Sequence, residues 1–121
     1  MTRDQLFLLQ PGFMDGGRGP FYCPDSTTLE GLLAIYPHLR DGMVVKRVDF
    51  PRPRAAVIAA VGAENQGLPT LVIGPAKGAD AAADAALAGL DVREAQGRRF
   101  LQSTGDIGRY LARRHGTGEP H

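Results

Sequence analysis

One cysteine, Cys23, is the whole thiol inventory of this 121-residue chain. A single thiol closes no internal disulfide. That excludes a disulfide-stapled scaffold and a dithiol redox cycle within one chain, and it fits a reducing compartment. Long hydrophobic runs are missing as well, and none approaches the ~20 residues that span a bilayer. The start, Met1 to Leu6, lacks the hydrophobic region and small-residue cut site of a cleavable signal. The expectation is a cytoplasmic protein with no membrane partner. Nor is there an excess of one charge: 14 basic and 13 acidic residues leave +1, too little for a field that holds nucleic acid. Lys46-Arg47 and Arg113-Arg114 read as exposed faces without aromatic interleaving, so no nucleic-acid partner is expected. His38, His115 and His121 show no metal-ligand spacing, and no metal is expected. The glycines from Gly12 to Gly19 fit neither a phosphate loop nor a dinucleotide fingerprint. A phosphatase-type loop needs arginine after Cys and five further residues, where this chain has Leu29.

What remains describes a loop-rich globular chain: 43% apolar, 22% charged, 16 Gly and 9 Pro. Its length suits one domain over residues 1–121. Leu6-Phe7-Leu8-Leu9, ended by Pro11-Gly12, has the continuous apolar run of a strand buried on both faces. Phe13 to Pro20 reads as a flexible loop leading to Cys23. Leu29, Leu32, Leu33 and Tyr36 recur at i, i+3, i+4 and i+7, one apolar face of a helix. Two starts compete for it. Pro24 suits the first helical position and would make Cys23 the cap residue, whereas Thr27-x-x-Glu30 would cap the helix a turn later and leave the thiol in a loop. In the first case unpaired N–H groups and the helix dipole stabilise a thiolate.

Met43 to Phe50 reads as a second strand, rich in β-branched residues, and Arg54 to Val61 as a short helix. Leu68 to Ile73 makes a third strand with Pro69 at its entrance, where a cis bond is tolerated. The Ala-rich segment over residues 75–97 reads as a low-specificity insertion carrying one surface helix at most. Arg98 to Gln102 follows as a fourth strand, hairpin-paired with the third. A last helix runs from about Gly105 to His115, signalled by Ser103-x-x-Asp106, and residues 116–121 read as a frayed tail.

The predicted class is α/β: a β-α-β-α-β-β-α sandwich with a mixed four-stranded sheet flanked by helices. That order, with a thiol at the first helix start and proline entering the third strand, is similar to thioredoxin-like folds. Cys23-Pro24-Asp25-Ser26 looks like the C-x-x-S form of the glutaredoxin site. Leu68-Pro69 looks like the cis-proline loop. Gln102-Ser103 followed by Ile107-x-x-Tyr110-Leu111 looks like the glutathione-transferase N-terminal domain. The layout also resembles a family of small bacterial proteins of this length and of unknown function.

The resemblance implies a glutathione-dependent thiol–disulfide oxidoreductase with glutathione as cosubstrate. Cys23 would be the nucleophile, attacking a disulfide or glutathionylated substrate, and Ser26 a hydrogen-bond donor to it. Leu68 and Pro69 would clamp glutathione through the backbone. Gln102 and Ser103 would hold its γ-glutamyl end, with Asp106 capping the helix or receiving the glutathione amine. The same spacing occurs in thioredoxin-fold arsenate reductases, where Arg18, Arg52, Arg54 or Arg99 would supply charge to an oxyanion. Cluster-binding glutaredoxins carry Cys-Gly-Phe-Ser instead, and conjugation of bulky electrophiles, which a helical second domain serves in glutathione transferases, is not expected. The alternative is a non-catalytic thioredoxin-like module that binds glutathione or a protein.

Overall fold

The computed structural model describes residues 3–121. The chain builds one mixed five-stranded sheet, one strand more than predicted. β1 (Asp4–Leu9) is buried along its whole length, which explains its unbroken apolar run. The hairpin β2 (Phe13–Asp15) and β3 (Arg18–Phe21) leads into α1 (Pro24–Ile35). After α2 (Leu39–Gly42) comes β4 (Met43–Val48), parallel to β1 with Asp4 opposite Met43 and Leu9 opposite Val48. α3 (Ala55–Val61) and a 3-10 turn (Ala63–Asn65) lead to β5 (Thr70–Val72), antiparallel to β1. α4 (Ala81–Ala86), β6 (Arg93–Ala95), β7 (Arg98–Leu101) and α5 (Thr104–His115) complete the order. Across the sheet the strands run β4-β1-β5-β7-β6, so β4 and β6 are the edges.

Alternate residues of each strand feed opposite faces. Leu6, Leu8, Leu71, Ile73 and Leu101 pack with Leu29 and Leu33 of α1 and with Ile107, Tyr110 and Leu111 of α5. Phe7, Val72 and Phe100 pack on the other face against Val57, Ala60 and Val61 of α3. The apolar spacing predicted for α1 is therefore its core face: Leu29 and Leu33 are buried and Leu32 and Tyr36 lie at the margin.

Three readings need correction. The glycine segment after β1 is a hairpin rather than a loop. Gly16 and Gly17 have φ of 59° and 77°, the two left-handed positions of a two-residue turn whose twist suits paired strands. Residues 75–97 hold no mere surface helix. Ala83, Ala86 and Leu87 are buried in the larger core, and the segment supplies β6, the hairpin partner of β7. β7 does lie antiparallel to β5, but a helix and a strand separate the two along the chain. The tail folds back over the α1/α5 side, where the Gly118 N–H donates to the Tyr36 hydroxyl at 3.1 Å.

At the start of β1, Asp4 is 2% exposed. Its carboxylate accepts from the Gly74 N–H at 2.8 Å, the Tyr110 hydroxyl at 2.7 Å and His115 Nε2 at 2.9 Å. This buried knot ties the first strand to the end of the last helix.

Candidate functional site

The other end of the sheet, where β1 finishes and β5 begins, carries the thiol. Of the two starts open to α1, the chain takes the first. Cys23 is the N-cap residue, Pro24 opens the helix, and the Cys23 carbonyl accepts from the Thr27 N–H at 2.9 Å. Glu30 makes no capping box. It forms a bidentate pair with Arg47 on β4, at 2.7 and 2.6 Å. Half-buried Cys23 Sγ accepts from the Ser26 N–H at 3.5 Å. The sulfur is thus seated on the first turn of a helix, facing its unpaired amides and the positive end of its dipole.

Ser26 serves this site differently from its expected role. The donor to sulfur is its backbone N–H, while its buried hydroxyl accepts from the Leu9 N–H at 3.0 Å. That contact fastens the start of α1 to the end of β1. Ser26→Ala leaves the Leu9 N–H unpaired in the core and is expected to lower stability by about 1–3 kcal/mol, read from urea unfolding, with Cys23 still on its amide donor. An unchanged unfolding midpoint would remove the fastening role.

Arg54 is a buried cation of this end. Only 7% exposed, it donates from Nε and Nη2 to the Phe50 carbonyl at 3.0 and 2.7 Å and from Nη1 to the Gln66 carbonyl at 2.8 Å. Its own N–H donates to Gln66 Oε1 at 2.7 Å. Burial and the neighbouring Arg52 pull the guanidinium below its ordinary value, while Cys23 pulls it the opposite way. Arg54 is fixed in place by four hydrogen bonds to Phe50 and Gln66. Sequence alone offered it as one arginine among four; nothing in Pro51-Arg52-Pro53-Arg54 foretells its burial against Phe50 and Gln66.

Gln66 leads into the Leu68–Pro69 bond, which is cis. Gln102 anchors this loop from below. Its Nε2 donates to the carbonyls of Asn65 and Gly67 at 3.1 and 3.3 Å and to Thr70 Oγ1 at 2.9 Å, and its Oε1 accepts from Arg93 at 3.1 Å. The side chain expected to reach a ligand is engaged within the fold.

Next to it, exposed Ser103 caps α5, its hydroxyl accepting from the Asp106 N–H at 3.3 Å. Asp106 accepts from Arg109 at 3.1 Å and from the Asp91 N–H at 3.1 Å. Arg109 lies over Gly105, its Nη1 3.1 Å from where a Cβ would stand. Helix amides, a hydroxyl and a guanidinium meet there, a combination suited to a carboxylate. Arg93 and Arg109 went unread in the sequence, although Arg109 three residues after Asp106 is the spacing of a helical ion pair. Among the described residues, no group of three or more His, Cys, Asp or Glu is placed to hold a metal ion.

The hairpin adds an apolar rim. Phe13 stacks on Phe50 with centroids 4.4 Å apart and meets Phe21 at 5.9 Å. Phe21, Tyr22 and Met14 are exposed beside the thiol segment.

All the residues predicted from sequence, Cys23, Ser26, Leu68, Pro69, Gln102, Ser103 and Asp106, therefore fall at strand ends or helix starts along one rim of the sheet. No helix among the described residues is long and apolar enough to cross a membrane. No curated protein and no solved structure matches the chain. One family does match, over residues 3–119, and its description is "Protein of unknown function (DUF3088)". With almost its whole length covered, the chain belongs to the DUF3088 family.

Proposed function

We propose that the chain is a thioredoxin-like domain that carries out glutathione-dependent thiol–disulfide exchange at Cys23, in a reducing compartment such as the cytoplasm. The observation that carries the reading is the seat of the sulfur: half-buried, at the N-cap of α1, accepting an amide N–H. Strand order supports it. Without β6, the sheet runs second, first, third, fourth, with the first pair parallel and the others antiparallel, the thioredoxin-like arrangement that the sequence resembles.

In the reaction the Cys23 thiolate attacks the glutathione sulfur of a glutathionylated substrate. The substrate's S–S bond breaks, its thiolate leaves and takes a proton, and Cys23 carries glutathione as a mixed disulfide. A second glutathione thiolate then attacks that sulfur, releasing Cys23 thiolate and oxidised glutathione. Reduced glutathione supplies both electrons, so no second cysteine is required. The Ser26 N–H, which donates to Sγ, supports Cys23 as attacking and leaving thiolate. Ser103 and Arg109 suit the γ-glutamyl carboxylate, and the backbone at Leu68 and Pro69 suits the cysteinyl part.

Intact-protein mass spectrometry after incubation with oxidised glutathione tests this. The expected result is one glutathione adduct on Cys23 that reduced glutathione removes, with alkylation of the free protein faster near neutral pH than that of a cysteine peptide. No adduct and peptide-like or slower alkylation would sink the exchange reaction.

One observation favours a second reading, a binding module without turnover. Met14, Phe21 and Tyr22 are exposed beside the thiol segment, an apolar patch suited to a protein partner, while Gln102 and both carboxylate oxygens of Asp106, the groups expected to hold glutathione, are occupied within the fold. A folded protein with no Cys23 adduct and no glutathione affinity by calorimetry would select that reading.

A further inference from the structure

The pole opposite Cys23 holds a second concentration of charge. β5 runs back against β1, so Gly74 and Pro75 emerge beside Asp4, and β7 begins there at Arg98. Between residues 73–77 and the β6–β7 turn opens a cavity of ≈ 560 Å³, whose charged lining is Lys77, Arg98, Arg99 and Glu94. Three cations face one carboxylate. A volume of this size belongs to the range that takes small organic ligands and exceeds what a bare ion fills.

The guanidinium groups are left with donors to spare. The Arg99 side chain is 10% exposed. Its Nη1 donates to Asp84 at 2.8 Å and its Nη2 to the Pro75 carbonyl at 3.1 Å. Its Nε is buried with no hydrogen-bond partner, and so is Arg98 Nη2. Arg98 pairs with no carboxylate among the described residues. Buried polar groups in proteins are nearly always hydrogen-bonded, and each such exception requires an explanation. Here two exceptions sit on adjacent residues whose side chains line one cavity, both atoms lying beneath its surface and closed to solvent, with the ammonium group of Lys77 on its rim.

Guanidinium N–H groups match phosphate oxygens in geometry and charge. Asp84 offsets Arg99, which leaves Arg98 and Lys77 against Glu94. We propose that this cavity binds a small organic phosphate monoester, its phosphate held by Arg98, Arg99 and Lys77 and its organic part filling the remaining volume. The site is separate from the thiol rim, and its existence does not depend on exchange at Cys23.

The test is titration of ¹⁵N-labelled full-length protein, near neutral pH and at ionic strength held constant with chloride, with inorganic phosphate and then with phenyl phosphate. Saturable shifts are expected at the amides of Gly74, Lys77 and Gly97, with phenyl phosphate binding more tightly than the bare anion. Arg98→Gln is expected to weaken binding about tenfold or more, the loss carried by a hydrogen bond to a charged group. Lys77→Gln, at an exposed position, is expected to weaken it severalfold and decides the matter should Arg98→Gln fail to fold. Absent saturation, shifts centred on Ser103 and Thr104 instead, or unchanged affinity in the variants would overturn the site. Phenyl phosphate binding no tighter than inorganic phosphate would overturn the organic ligand.

Discussion

Cys23→Ser is expected to lose glutathione-dependent reduction of a glutathionylated peptide by on the order of 10³-fold or more, as when a nucleophile is removed from a site that acts as a unit. Serine is a good N-cap residue and nearly isosteric with cysteine, so α1 keeps its start and the fold its stability. What goes is the nucleophile, because a hydroxyl at neutral pH carries almost no oxyanion. The comparison with Ser26→Ala makes the result interpretable. That variant keeps the N–H that faces Sγ and loses the fastening of Leu9, so its rate is expected to hold while its unfolding midpoint falls. A coupled assay with glutathione reductase reads the first, and urea unfolding reads the second. Residual activity in Cys23→Ser within about tenfold of the parent would mean that the chemistry lies elsewhere and that Cys23 is a packing residue with a decorative address.

The largest stability effect is expected from the opposite end of β1. Asp4→Ala strips partners from the Gly74 N–H, the Tyr110 hydroxyl and His115 at once. Breaking a buried charged cluster by removing one member costs about 3–5 kcal/mol, a large share of the ~5–15 kcal/mol that holds a domain of this size together. Asp4→Asn keeps an acceptor oxygen and is expected to lose less.

The pH dependence has a definite sign. Burial alone would raise the Asp4 carboxyl, but hydrogen bonds from His115, the Gly74 N–H and Tyr110, with the charge of His115, outweigh it and hold the group below its ordinary value of 3.8. A depressed folded-state value means stability that is present above the unfolded value and is lost as pH falls through the folded one. Below about pH 4 the parent should therefore shed stability more steeply than Asp4→Asn. Parallel acid limbs for the two proteins would show that Asp4 is not ionised in the fold.

How much of this was legible follows the range of the forces involved. β1 was plain from its apolar run, and α1 and α5 from their periodic faces and caps, because these signals lie within a dozen residues. The start of α1 was open between two caps, and Glu30 settled it by pairing with Arg47, a residue 17 positions away. The β2–β3 hairpin was missed although Asp15-Gly16-Gly17-Arg18 has the turn chemistry for it. Its strands are three and four residues long, too short for an alternating pattern, and Phe13 gains its anchor only from Phe50. The Ala-rich segment failed for a related reason. Alanine reads as a helix former with no face of its own, and only the closeness of α5 gives Ala83 and Ala86 a core to enter. At the thiol rim the residue types were readable and their engagement was not: Gln102 and Asp106 carry the right groups, already spent on the loop and the helix they support.

The borders of the sheet have a consequence for how this molecule meets others. One border, β4, ends in Lys46-Arg47-Val48, and the other, β6, is only Arg93-Glu94-Ala95. A three-residue outer strand that carries two charges is a poor template for a further strand, and the charged end of six-residue β4 blunts the other border. Neither a partner's extended peptide nor a second copy finds a long template at β6, and Lys46-Arg47 set charge against such pairing at β4. Recognition is left to strand ends and helix starts, the two poles where its unusual side chains are gathered.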